Sequence, residues 1–233
     1  FMIREFYKDD ATISAGLTGL LNWYDESGYE LLNQGATAED AGEAFQLEDI
    51  TEEDIASMPS FGDDRDLSKA NGIVSISEMG CNWQEAEGYL LRPDQHIVFE
   101  DFDAYSRTYE TSRASFEAAT SSLTFPNFSE ELVGISSGET PLSDEQAGGM
   151  LLTSNQVQSS ELGVTLDYGL VLHFRHGVYD VQGEQIPVMF ILSWLPQPVD
   201  STSGSATTFE QSYSIEVNYG IGDKTLRIFA VWT

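Results

Sequence analysis

The sequence predicts an α+β domain, with N-terminal amphipathic helices packed on a curved antiparallel β-sheet formed mainly by the C-terminal two thirds. Three observations carry this. Apolar residues recur every three to four positions in the first seventy residues, whereas from Gly72 onward they recur every second one. Two successive hairpins are legible between Gly163 and Thr233. The segment IPVMFILSWLP is apolar on both faces, so its strand needs a cover on each side, and the helices can supply one. No repeat at a fixed period and no linker divides the chain. Residues 1–233 therefore read as a single domain with a helical part (1–70) and a strand-rich part (72–233).

Asp9-Asp10 can cap a first helix whose apolar positions Ile13, Leu17, Leu20, Leu21 and Tyr24 keep the 3.6-residue period, with Gly28 or Gly35 to end it. A second short helix fits 37–45, with Ala38, Ala41 and Phe45 along one side. A third opens at Thr51, where TEED places a hydroxyl at the cap and acids in the first turn; Pro59 stops it and SFGDDRDLSKANG is a loop. GIVSIS, QHIVFEDF and YSRTYET then read as strands, broken by Gly88 and by Arg92-Pro93-Asp94. A short helix fits 114–120, and Pro126-Asn127 leads into ELVGISSGETP.

The clearest pattern follows. Val164, Leu166, Tyr168, Leu170, Leu172 and Phe174 alternate with Thr165, Asp167, Gly169, Val171, His173 and Arg175, as in a strand with one apolar face. A turn near Val181-Gln182-Gly183 returns the chain into the doubly apolar strand. DSTSGSATT reads as a flexible polar loop. Tyr213, Ile215, Val217 and Tyr219 then alternate with Ser212, Ser214, Glu216 and Asn218. Gly220-Ile221-Gly222-Asp223 turns into TLRIFAVWT, apolar on both sides except for Arg227.

Charge is the extreme feature of the composition: 39 acidic residues against 10 basic give a formal −29. Such a chain lacks the Lys and Arg that displace counterions from phosphates, so nucleic acid is not an expected partner. The acids are spread from Asp9-Asp10 through Glu52-Glu53-Asp54 to Glu130-Glu131, which suits a solvated surface in salty or extracellular surroundings. A cation-binding surface is a second reading, and an acidic mimic of DNA or a viral assembly protein a third. The 41% hydrophobic content argues for a folded globule. Cys81 is alone, so no internal disulfide forms, and no run approaches the roughly 20 apolar residues that span a bilayer. A peripheral or lipid-anchored membrane association stays compatible with the sequence. The expected location is extracytoplasmic; Phe1 precedes Met2, and a true start at Met2 would point to a cytoplasmic or viral protein.

Candidate chemistry is sparse. Gly134-Ile135-Ser136-Ser137-Gly138 matches the G-x-S-x-G elbow of serine hydrolases, with Asp167 and His173 or His176 in the usual order behind Ser136. An elbow needs a helix directly after the serine, and GETPLSDEQAGG puts Pro141 there instead, with strands following where strand–helix alternation is required. A second constellation, Asp167, His173 and Arg175, shares one side of its strand; it forms either an exposed polar face or the polar end of a pocket. Phe190, Trp194, Phe229 and Trp232 could line an apolar pocket between sheet and helices, with Trp194 and Trp232 as ligand-binding candidates beside Asp167, His173 and Arg175. Asp101 and Asp103 are weak calcium candidates, the loop at Asp64 departing from the calcium pattern at Lys69 and Ser75. No dinucleotide, P-loop or zinc-protease motif occurs, so no cofactor is expected. The expected function is a soluble, acidic, non-enzymatic binding or structural protein that holds an apolar ligand or a partner surface between sheet and helices. The serine hydrolase at 134–138 and the acidic mimic are the alternatives.

Overall fold

A computed structural model of the chain describes residues 10–26, 72–83, 85–86, 103–109, 147–160, 163–204 and 208–232. The elements among the described residues are the helix α1 (Asp10–Glu26) and the strands β1 (Gly72–Met79), β2 (Ala104–Tyr109), β3 (Ala147–Ser159), β4 (Val164–Val181), β5 (Glu184–Trp194), β6 (Val199–Gly204), β7 (Thr208–Phe209), β8 (Tyr213–Ile221) and β9 (Lys224–Trp232). The expected helices at 37–45, 51–58 and 114–120 and the strand QHIVFEDF lie outside the described residues.

All the strands pair antiparallel, and the main path runs β1-β9-β8-β5-β4-β3-β2. β4 is the long spine. β3 pairs along one side of it, Ser159 opposite Val164 through Ala147 opposite His176. On its other side β5 takes the C-terminal half and β6 the N-terminal end, with a register shift between Thr165 and Leu166. The β4–β5 hairpin closes through Gln182 and Gly183, both in the left-handed region (φ 55° and 83°), as a tight two-residue hairpin turn requires. Asp180 Oδ1 accepts the Gly183 amide at 3.1 Å. The segment DSTSGSATT, expected as a loop, contributes β6 and β7 instead. Short polar side chains hide such strands from a pattern search, because backbone pairing needs no apolar row. β3 was likewise not expected.

The register assigns side chains to two faces. On the helix face lie Val171, Tyr179 and Val181 of β4, Val188, Phe190, Leu192 and Trp194 of β5, Tyr213, Ile215, Val217 and Tyr219 of β8, and Leu226, Ile228, Ala230 and Trp232 of β9, all buried in one core. α1 packs here through Ile13, Leu17, Leu20 and Leu21, the positions its sequence period singles out. Polar ties fix it at both ends. Arg175 Nη2 donates to Asp10 Oδ1 at 3.3 Å; Gln182 donates its amide to Thr18 Oγ1 at 3.1 Å and its Nε2 to Asn22 and Asp25 at 2.9 and 2.8 Å. Between them the Tyr219 hydroxyl donates to the Leu17 carbonyl at 2.9 Å.

The other face is concave. Arg107 on β2 acts electrostatically on Glu216 on β8, although four strand steps separate them. On a flat sheet that would be roughly 19 Å, so the sheet must curl until its two wings face each other.

Candidate functional site

The alternation in β8 predicts that Ser214, Glu216 and Asn218 look the same way, opposite the apolar row. They do, but onto the concave face, where all three are buried along with Arg107, Asn155, Ser193, His176 and Thr225. Burial of this many polar groups requires partners.

At the centre, Glu216 accepts Arg227 Nη2 on one oxygen at 2.8 Å and Asn218 Nδ2 on the other at 3.0 Å. The acid and the base sit diagonally across the β8–β9 hairpin, Glu216 opposite Phe229 and Asn218 opposite Arg227. The Arg227 guanidinium lies 4.7 Å over the Phe229 ring. Burial alone would raise the Glu216 carboxyl. The Arg227 charge, the hydrogen bonds from Arg227 and Asn218, and the field of Arg107 outweigh it and hold the group below its ordinary value. Glu216 is therefore ionised, with both oxygens engaged, which makes it an acceptor and a poor general base. Asn218 is 1% exposed, and with Nδ2 committed to the carboxylate its Oδ1 is buried with no hydrogen-bond partner among the described residues.

Ser193 and Ser214 share a hydrogen bond of 2.6 Å on the neighbouring row. The opposite wing is a second network. Arg107 donates from Nε to Asn155 Oδ1 at 2.9 Å and from Nη2 to the Tyr105 hydroxyl at 3.1 Å, and that hydroxyl lies 3.2 Å from the hydroxyl of Tyr168. Burial, and then the neighbouring Tyr105, push the Tyr168 hydroxyl well above its ordinary value, so it stays protonated.

One end of the concave face is plugged. Asn82 and Glu85 cap each other's amides at 3.0 and 3.2 Å, a reciprocal box at the start of a helical turn. The Cys81 carbonyl accepts from Thr225 Oγ1 at 3.0 Å, anchoring the turn to β9. Its Trp83 ring stands 6.0 Å from that of His176 and presses on Gly220, where a Cβ would come within 2.8 Å of Pro187 Cγ and 3.0 Å of Trp83 Cδ1. Only glycine lets the indole seat so closely.

The residues singled out from the sequence fall elsewhere. Asp167 is exposed and accepts from Gln156 Nε2 at 3.0 Å. Six residues along β4 place it roughly 20 Å from His173, so the two do not form a catalytic pair. Arg175 faces α1, paired with Asp10 and lying over the Phe190 ring at 5.7 Å. Trp194 and Trp232 are core residues of the helix face. Asp103 accepts from the amide and hydroxyl of Ser160, a clasp across the β2–β3 pair. Ser136 and Asp101 lie outside the described residues, as does the side chain of His173. Among the described residues no helix is long and apolar enough to cross a membrane, and no group of three or more His, Cys, Asp or Glu is placed to hold a metal ion.

Sequence reasoning passed over Glu216, Asn218, Arg107 and Asn155. A signal was there: Arg227 is the one charge within the apolar run after Lys224, and Glu216 is the lone charge in the strand before it. Compared with protein-family models, curated proteins and solved structures, the chain matches none of the three.

Proposed function

We propose that this protein is a non-enzymatic binding protein that receives a polar ligand on the concave face of its sheet. The observation that carries the proposal is the buried Oδ1 of Asn218, an acceptor held rigid by its own amide's bond to Glu216. A lone buried acceptor costs about 1–3 kcal/mol unless a donor reaches it. The ionised, doubly engaged Glu216 supports binding over proton transfer. An apolar ligand between helix and sheet has less support, because Leu17, Phe190 and Tyr219 fill that space with no exposure at all. The separation of Asp167 from His173 counts against the hydrolase reading. The formal charge of −29 suits an extracytoplasmic setting, which cell fractionation of the native source would test.

Ligand-observed NMR with a library of small polar molecules tests the proposal, run on the protein and on Asn218→Leu. Molecules that bind the first and lose binding to the second are expected. Binders indifferent to the substitution, or none, would overturn it.

A further inference from the structure

The concave face also indicates what kind of molecule fits it, and this inference rests on the binding role proposed above. We infer that the ligand is uncharged and rich in hydroxyl groups, a sugar or polyol. Charge comes first. Glu216 and Arg227 neutralise one another at 2.8 Å, and Arg107, on the same face of the sheet, is engaged by Asn155 and Tyr105. A cationic ligand would stand beside the Arg227 guanidinium, and an anionic one beside an ionised carboxylate in a protein of formal charge −29. Either would bring an uncompensated charge into a desolvated place.

The hydrogen-bonding inventory points the same way. Asn218 Oδ1 can only accept, and so can the Glu216 oxygens. The hydroxyl pairs Ser193–Ser214 and Tyr105–Tyr168 can each turn to donate or accept. An ammonium group offers donors alone and a carboxylate acceptors alone; a hydroxyl does both from one atom, which matches a surface of fixed acceptors and rotatable hydroxyls. Aromatic surface lies beside these groups. Trp83, half-buried, presses on Gly220 two residues from Asn218, and Phe229 sits opposite Glu216. The C–H faces of a sugar ring pack on such rings while its hydroxyls reach the polar row.

Isothermal titration calorimetry with D-glucose and myo-inositol, against spermidine and citrate as charged probes, tests this. Saturable binding of glucose or inositol in the millimolar range is expected, with neither charged probe binding. Asn218→Leu should weaken the affinity about tenfold, and Ser214→Ala, the gentler change to the same row, by a smaller factor. Binding of spermidine or citrate that Asn218→Leu abolishes would overturn the sugar assignment and leave the binding role standing. Failure of all four probes to bind the folded protein would count against both. Sugar binding unchanged in both variants would place the ligand elsewhere and overturn the assignment.

Discussion

The two faces of this sheet are built from the same strands, one residue out of step, and they are buried to the same degree by opposite means. Along β8, Tyr213, Ile215, Val217 and Tyr219 enter the helix-side core, while Ser214, Glu216 and Asn218, one position on in each case, enter the concave face. The first set needs mainly contact, and α1 helps to give it, supplying also the Leu17 carbonyl that the Tyr219 hydroxyl reaches. The second set needs a partner for each donor and acceptor, and the partners come from specific side chains on the same or the adjoining strand: Ser193 for Ser214, Arg227 and Asn218 for Glu216. Dispersion tolerates approximation; a buried carboxylate does not. The helix face is therefore the stability of the fold, and the concave face is the part whose exact chemistry matters.

Breaking each face should show this difference. Phe190→Ala removes a fully buried ring from the helix face and should cost about 3–5 kcal/mol in urea unfolding, whatever the pH. Arg227→Met leaves Glu216 ionised, buried and without its cation, with an expected cost of about 3–5 kcal/mol as well. The two losses differ in what repairs them. Adding Glu216→Leu to Arg227→Met should recover most of the second loss, since two apolar groups replace the pair together. A double variant no more stable than Arg227→Met would mean that the pair's charge is not the source of the cost. Gly220→Ala comes next. The new methyl meets the Pro187 ring and the Trp83 indole, neither of which yields easily, so a loss of about 1–3 kcal/mol is expected. A changed Trp83 emission should accompany it.

The same contrast explains what was legible in the sequence. α1 was readable because Ile13, Leu17, Leu20 and Leu21 obey a helical period and are buried for that reason. The β4–β5 and β8–β9 hairpins were readable from alternation and from Gly183 and Gly222 in their turns. Alternation, though, tells which residues share a side and never which side is wet. The polar row of β8 looks like a solvated face, and only the curl of the whole sheet, which no local pattern encodes, makes it a buried one. Arg175 taught the same lesson in reverse: it reads as an exposed polar residue, and α1 lies over it with Asp10 as its partner.

A smaller effect should appear as a function of pH. The Glu216 carboxyl is held below its ordinary value in the folded protein, so its contribution to stability is full above the unfolded value near 4.5 and is lost as the pH falls through the folded one. The protein as a whole moves the other way over part of this range, because protonating its many surface acids relieves repulsion. Comparison with Glu216→Gln separates the two. Near neutrality the variant should be the less stable, since its amide cannot balance Arg227. The gap should close as the pH drops below about 4.5, where the wild-type side chain becomes a neutral acid of similar shape. A gap that stays constant on acidification would show that Glu216 is neutral in the folded protein.

The smallest expected effect tests how tightly the helix face is fastened at its rim. Gln182 holds a left-handed backbone (φ 55°), a conformation that costs a residue with a side chain about 1 kcal/mol, and it also donates from its side chain to Asn22 and Asp25 on α1. Gln182→Gly relieves the first and deletes the second. The backbone amide still reaches Thr18 in either case. Exposed hydrogen bonds contribute about 0.5–1.5 kcal/mol each at most, so the two changes nearly cancel and global stability should move by less than about 1 kcal/mol. Local stability should not be spared. The amides in the last turn of α1, near Asn22 and Asp25, should exchange with solvent faster in the variant while those of the β8–β9 hairpin keep their rate. Equal acceleration in both places would mean that Gln182 supports the sheet itself and that its side chain adds nothing particular to the end of the helix.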